Sequence, residues 1–110
     1  KHRFRKKTIS SFLNTSKKHG SNVLTLYYLK DEEQAILHPR YAFICPKRCG
    51  NPVKRNKIRR QFKESILKYL HRIDTRYSFI IMANKKCMSA NFNDIDTAIL
   101  NSLKKRNIIT

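Results

Sequence analysis

Apolar residues recur three or four apart from Ile58 through Phe62, Ile66, Tyr69 and Leu70 to Ile73, drawing one stripe along a helix. Its start is well marked. Gly50 permits a turn, Asn51 can cap free amides, and Pro52 suits the first helical position, where no amide donor is needed. The helix is predicted to run to about Arg72, and Asp74-Thr75-Arg76 breaks it. Tyr77 to Ala83 is then a near-continuous apolar run, as a strand buried on both faces should be. Upstream, Val23 to Leu29 reads as a strand rich in β-formers, a second strand is expected near Ala35 to Leu37 and a third near Tyr41 to Cys45. A short first helix begins at Thr8, with Ile9, Phe12, Leu13 and Ser16 near one face, and Gly20 is its natural stop. There Lys17, Lys18 and His19 would meet the negative end of its dipole. A last helix has Asn91 or Asn93 as cap, Asp94 and Asp96 in its first turn, and Phe92, Ile95, Ile99 and Leu103 as its apolar face. The order α-β-β-β-α-β-α predicts an α/β (α+β) two-layer sandwich, a small mixed sheet with helices packed on it, as one domain over residues 1–110. The strand–helix–strand unit implies parallel neighbours, and the general rule makes such a crossover right-handed.

Charge changes this picture at one helix. With 25 basic and 7 acidic side chains among 110 residues, the net charge is +18. That excess is costly for a compact chain alone and expected for one whose partner is lined with phosphates. Residues 1–7 form a basic arm, Lys30 to Gln34 an acid-rich turn, and Asn84 to Ala90 a basic polar loop. The last helix places Lys104, Lys105 and Arg106 in its last turn, where its dipole favours cations. The helix after Pro52 does the opposite. Lys54, Arg55, Lys57, Arg59, Arg60 and Lys63 crowd its first turns, at the positive end of the dipole, and like charges four apart repel by roughly 0.2–0.5 kcal/mol a pair. A helix selected for stability alone would begin with acids, so an anion is expected there. Arg55 lies on the apolar stripe extended by a turn and should point along the edge of whatever the stripe packs on.

Catalytic chemistry is not evident. A nuclease acting by itself needs convergent carboxylates for metal ions, or an acid and base in a pocket. Asp31, Glu32 and Glu33 share one turn, Asp94 and Asp96 open a helix, Asp74 stands in a break, and Glu64 is spaced to pair with Lys68. His2, His19, His38 and His71 are dispersed, and Cys45, Cys49 and Cys87 lack zinc-site spacing and read as reduced thiols. No apolar run approaches the ~20 residues of a membrane helix, and no signal-peptide pattern opens the chain. What remains is RNA-binding material: cations for phosphates, and Phe12, Tyr27, Tyr28, Tyr41 and Phe43 as rings on which bases could stack. Tyr27 and Tyr28 must face opposite sides of their strand, so at most one lines a groove.

The segment Pro46-Lys47-Arg48-Cys49-Gly50-Asn51-Pro52-Val53-Lys54-Arg55-Asn56-Lys57-Ile58-Arg59-Arg60 resembles the signature of the bacterial ribonuclease P protein component. That pattern runs Ser-Lys-Lys-x-Gly-x-Ala-Val-x-Arg-Asn-Arg-x-Lys-Arg. It is departed from at Pro46, Arg48 and Pro52, while Lys57 and Arg59 exchange one cation for another. The resemblance implies a left-handed crossover around the basic helix and a cytoplasmic protein subunit that assists a catalytic RNA. That RNA would remove the 5′ leader of precursor tRNA by hydrolysis. Implied partners are the catalytic RNA and precursor tRNA, with no membrane and no obligate protein partner. Magnesium would be held mainly by the RNA subunit and substrate, with no catalytic residue or cofactor in the protein. The implied RNA-binding residues are Lys47, Arg48, Lys54, Arg55, Asn56, Lys57, Arg59, Arg60 and Lys63. The implied leader groove comprises Phe12 (with Leu13 as the neighbouring alternative), Tyr27, Phe43, Arg55 and Asn56; Tyr27 sits in a Leu-Tyr-x-Leu strand like the family's. Two other classes are carried alongside. A structural rRNA-binding protein would bind one folded RNA without affecting cleavage, and a nucleic-acid chaperone would bind any polyanion alike.

Overall fold

The computed structural model describes residues 6–31 and 39–109. In chain order these form α1 (Lys6–Thr15), β1 (Lys17–Gly20), β2 (Leu24–Lys30), β3 (Arg40–Ile44), α2 (Pro52–Tyr69), β4 (Tyr77–Ala83) and α3 (Phe92–Lys105). Short 3-10 turns at Lys47–Cys49, Leu70–Arg72 and Lys85–Ser89 flank α2 and follow β4. The sheet order is β1-β2-β4-β3, with β2 antiparallel to β1 and β4, and β3 parallel to β4. The basic helix is therefore the crossover of a parallel β-α-β unit, and the apolar Tyr77–Ala83 run is an internal strand, both as its sequence predicts.

The start of the chain corrects two expectations. α1 begins at Lys6, so the last two residues assigned to the basic arm are helical. It ends at Thr15, and Lys17–Gly20, expected to close that helix, is the edge strand β1 paired along Lys17↔Tyr28 to Gly20↔Thr25. The physical reason lies in β2, whose outer edge would otherwise present unpaired amides and carbonyls. A short lysine-bearing strand covers it and is itself unattractive to further pairing. Arg106 Nη2, 3.1 Å from His19 Nδ1, links this strand to the end of α3. The strand expected at Ala35–Leu37, the acidic Glu32 and Glu33, and residues 1–5 of the arm lie outside the described residues.

Strand alternation divides the sheet into two faces. On one, Leu24 and Leu26 of β2 and Tyr77, Phe79, Ile81 and Ala83 of β4 are buried beneath Ile58, Phe62 and Ile66 of α2 and Ile95, Ile99 and Leu103 of α3. Register places Tyr28, Tyr41 and Phe43 on this same face, opposite Phe79 and Ile81. The other face carries Thr25, Tyr27 and Leu29 of β2, with Ser78, Ile80 and Met82 of β4. Ile80 is fully buried and Phe12 of α1 nearly so, yet neither belongs to the α2/α3 cluster.

α2 and α3 are joined by a polar junction. Asp96, expected to serve the dipole of its own helix, instead accepts hydrogen bonds from Ser65 Oγ (2.6 Å), Lys68 Nζ (2.9 Å) and Tyr69 Oη (2.9 Å) of α2. Burial would raise its pKa, but these three donors outweigh burial and hold the carboxyl below the usual range. Lys68, expected to pair with Glu64, is committed to Asp96. The N-terminus of α3 is closed by a capping box, in which Asn91 Oδ1 accepts from the Asp94 amide and Asp94 accepts from the Asn91 amide.

Candidate nucleic-acid interface

The start of α2 is built from the turn upward. Gly50 has φ 122°, which an L side chain rarely adopts, and a Cβ there would lie 3.0 Å from Lys54 Cγ. Asn51 caps the helix, its Oδ1 accepting from the Lys54 amide at 2.9 Å, and Pro52 occupies the first turn as its sequence predicts. Beneath the turn lies a knot of buried cysteines. Cys49 Sγ lies 3.7 Å and 3.6 Å from the carbonyl oxygens of Ala83 and Asn84, so the helix start is pinned to the end of the central strand. Burial, with Cys49 adjoining, pushes the Cys45 thiol up to about 11, and burial pushes Cys87 up to about 12. These thiols stay protonated near neutrality and act as small apolar packing groups.

On this base stand the cations. Lys47, Arg48, Lys57, Arg60 and Lys63 are exposed, while Lys54, Arg55 and Arg59 are half-buried. No acid occupies the first turn of α2. Arg55 runs along the edge of the turn, and its Nε donates to the Gly50 carbonyl at 3.1 Å. One donor thus fixes the side chain, and among the described residues the terminal guanidinium nitrogens have no protein acceptor. That fork is positioned for a phosphate. Asn56 Oδ1 accepts from Arg59 Nη2, so the two act as a unit and the Asn56 amide nitrogen remains to donate.

The groove residues do not all come together. Tyr27 is half-buried on the second face, whereas Tyr28 lies on the core face with its ring centroid 6.4 Å from that of Tyr77. Phe43 is a correction. It lies on the core face, 6.0 Å from the ring of fully buried Phe62 and 5.4 Å from Tyr41, and so cannot line one groove with Tyr27. The cause is register: Phe43 pairs with Ile81, and Tyr27 with Ile80. Phe12, only 7% exposed, has no open ring face in this conformation and is part of the packing.

The basic polar loop predicted at Asn84 to Ala90 contains an ordered 3-10 turn, Lys85–Ser89, that the sequence did not reveal. Its one signal was Cys87, an apolar residue amid polar ones, and Cys87 is the residue that anchors the turn.

Fold and site define a class: a small α+β protein whose described chemistry is a rigidly capped, cation-loaded helix, suited to holding phosphates. Comparison with known proteins narrows this. The family model described as Ribonuclease P matches residues 1–107. The ribonuclease P protein component of Bacillus cereus (strain ATCC 10987 / NRS 248) is 27% identical over 106 residues, covering 96% of this chain and 90% of that protein. That of Bacillus anthracis is also 27% identical, covering 96% and 87%. Among solved structures, the Staphylococcus aureus RNase P protein superposes with a TM-score of 0.87 at 20% identity, covering 100% of this chain and 99% of that one. The Thermotoga maritima RNase P protein gives 0.82 at 17% identity, covering 96% and 97%. These two likenesses speak to the fold. The chain belongs to the ribonuclease P protein family, and its role is that of the protein subunit of this ribonucleoprotein endoribonuclease.

Proposed function

We propose that this subunit grips the 5′ leader of precursor tRNA with the second sheet face around Tyr27 and with Arg55 and Asn56. The exposed cations of α2 dock the catalytic RNA. The observation that carries this reading is Arg55: one nitrogen is spent on the Gly50 carbonyl, and the fork beyond it is held at the helix start with no protein acceptor among the described residues. Such a fork costs little further entropy to order around a phosphate. The catalytic RNA would carry out the hydrolysis, with magnesium held mainly by RNA and substrate. The protein raises cation density beside it and lowers the magnesium concentration that cleavage needs.

The test is cleavage of a 5′-extended tRNA at low magnesium, with the RNA subunit alone and with the protein added. Cleavage should appear only, or much faster, with protein; equal rates would sink the reading in favour of a structural RNA-binding role. Arg55→Ala and Asn56→Ala should keep the melting temperature, raise the magnesium requirement, and weaken precursor tRNA binding more than mature tRNA binding at fixed salt. Equal loss for both tRNAs would assign the pair to general RNA docking.

A further inference from the structure

The turn at Lys85–Ser89 packs against the turn at Lys47–Cys49 and the start of α2, held there by buried Cys87. Gly50 lies between the two, since a Cβ built on it would be 3.0 Å from Lys54 Cγ and 4.0 Å from Met88 Cε. Lys85 and Lys86 are exposed, and among the described residues neither has a carboxylate partner. They add two cations to a region already crowded with Lys47, Arg48 and Lys54. A solvated loop has no reason to concentrate like charges there, where each adds to the repulsion already present. The apolar residues are equally out of place. Val53, in the first turn of α2, is 78% exposed, and Met88 is 37% exposed.

We propose that Lys85–Ser89 is a second limb of the docking surface for the catalytic RNA subunit, continuous with the start of α2. Lys85 and Lys86 neutralise phosphates, and Val53 and Met88 rest on a sugar or unpaired base between them. This rests on the reading of α2 as the RNA-facing helix. RNA is the occupant because the apolar contacts are small and set among cations, which suits a surface alternating sugar or base with phosphate.

The experiment measures affinity of the full chain for the RNA subunit across a salt series. Wild type is compared with a Lys85→Ala/Lys86→Ala double variant and a Lys57→Ala/Arg59→Ala/Arg60→Ala triple variant, each checked for an unchanged melt. At ~0.7–0.9 per phosphate contact, the double variant should flatten the slope of log K against log salt by about 1.4–1.8. If the triple variant flattens the slope and the double variant does not, the second limb is wrong while α2 still faces RNA. If neither flattens it, the reading of α2 itself fails. Val53→Ser should weaken binding about threefold or more at every salt concentration without altering the slope; unchanged affinity would overturn the apolar contact.

Discussion

At the scale of single residues, Gly50 and Phe62 have opposite reasons to be irreplaceable. Gly50→Ala forces a side chain into a left-handed backbone at φ 122° and against Lys54. A cost of about 1–3 kcal/mol is expected, read as a lowered melting temperature, with RNA affinity reduced because the helix start is re-aimed. Phe62 is fully buried, and Phe62→Ala should cost roughly 3–5 kcal/mol. Tyr27→Ala, on the other face, should cost far less in a thermal melt and weaken binding of leader-bearing tRNA. A melt as damaged as that of Phe62→Ala would make Tyr27 a core residue. The opposite placement of Tyr27 and Tyr28 was legible from alternation, and so was the Asn51 cap, because both are local. Phe43 was not, because its face depends on how β3 registers against a strand more than thirty residues later.

At the scale of elements, Asp96 joins α2 to α3, and its partners could not be read from spacing along either helix. Asp96→Ala would leave the fully buried Ser65 hydroxyl without its acceptor, a loss of about 1–3 kcal/mol from that group alone. Its folded pKa is depressed, so the stability it contributes is present above its unfolded value of ~3.9 and is lost as pH falls through the folded value. Asp74, held down to about 2 chiefly by the Arg76 side chain, follows the same sign. Melting temperature should therefore hold nearly level down to about pH 4 and fall between there and about pH 2. In Asp96→Asn the fall should be shallower, from a lower starting point. A full-sized acid transition in that variant would mean Asp96 is not linked to folding.

At the scale of the molecule, a charge of +18 makes binding a matter of ion release. If α2 and its surroundings neutralise about six phosphates, log K for RNA should fall with log salt at a slope of about −5, at ~0.7–0.9 per contact. Removing Lys57, Arg59 and Arg60 together should flatten it by two or more. An unchanged slope would take those side chains off the phosphates. The strands β2, β3 and β4, the helices and the exceptional charge of α2 were legible because apolar periodicity and dipole-adverse charge are both written locally. β1 was not, since lysines and a histidine have little strand preference and are held in the sheet by β2. The convergence of Lys85 and Lys86 with Lys54 was hidden for the same reason: a cysteine packed beneath the turn brings them together.

The parallel crossover also sets an order of events during synthesis. β4, the strand that pairs with both β2 and β3 and whose end receives the Cys49 contacts, follows α2 in the chain. The cationic helix therefore leaves the ribosome before β4 completes its seat, with its apolar stripe uncovered. A nascent chain halted before Tyr77 is a polycation without a defined face, able to cling to ribosomal or messenger RNA through charge alone. Discrimination among RNAs is therefore expected only once residues 77–83 have joined the sheet, and a chain truncated before Tyr77 should bind unrelated RNAs alike.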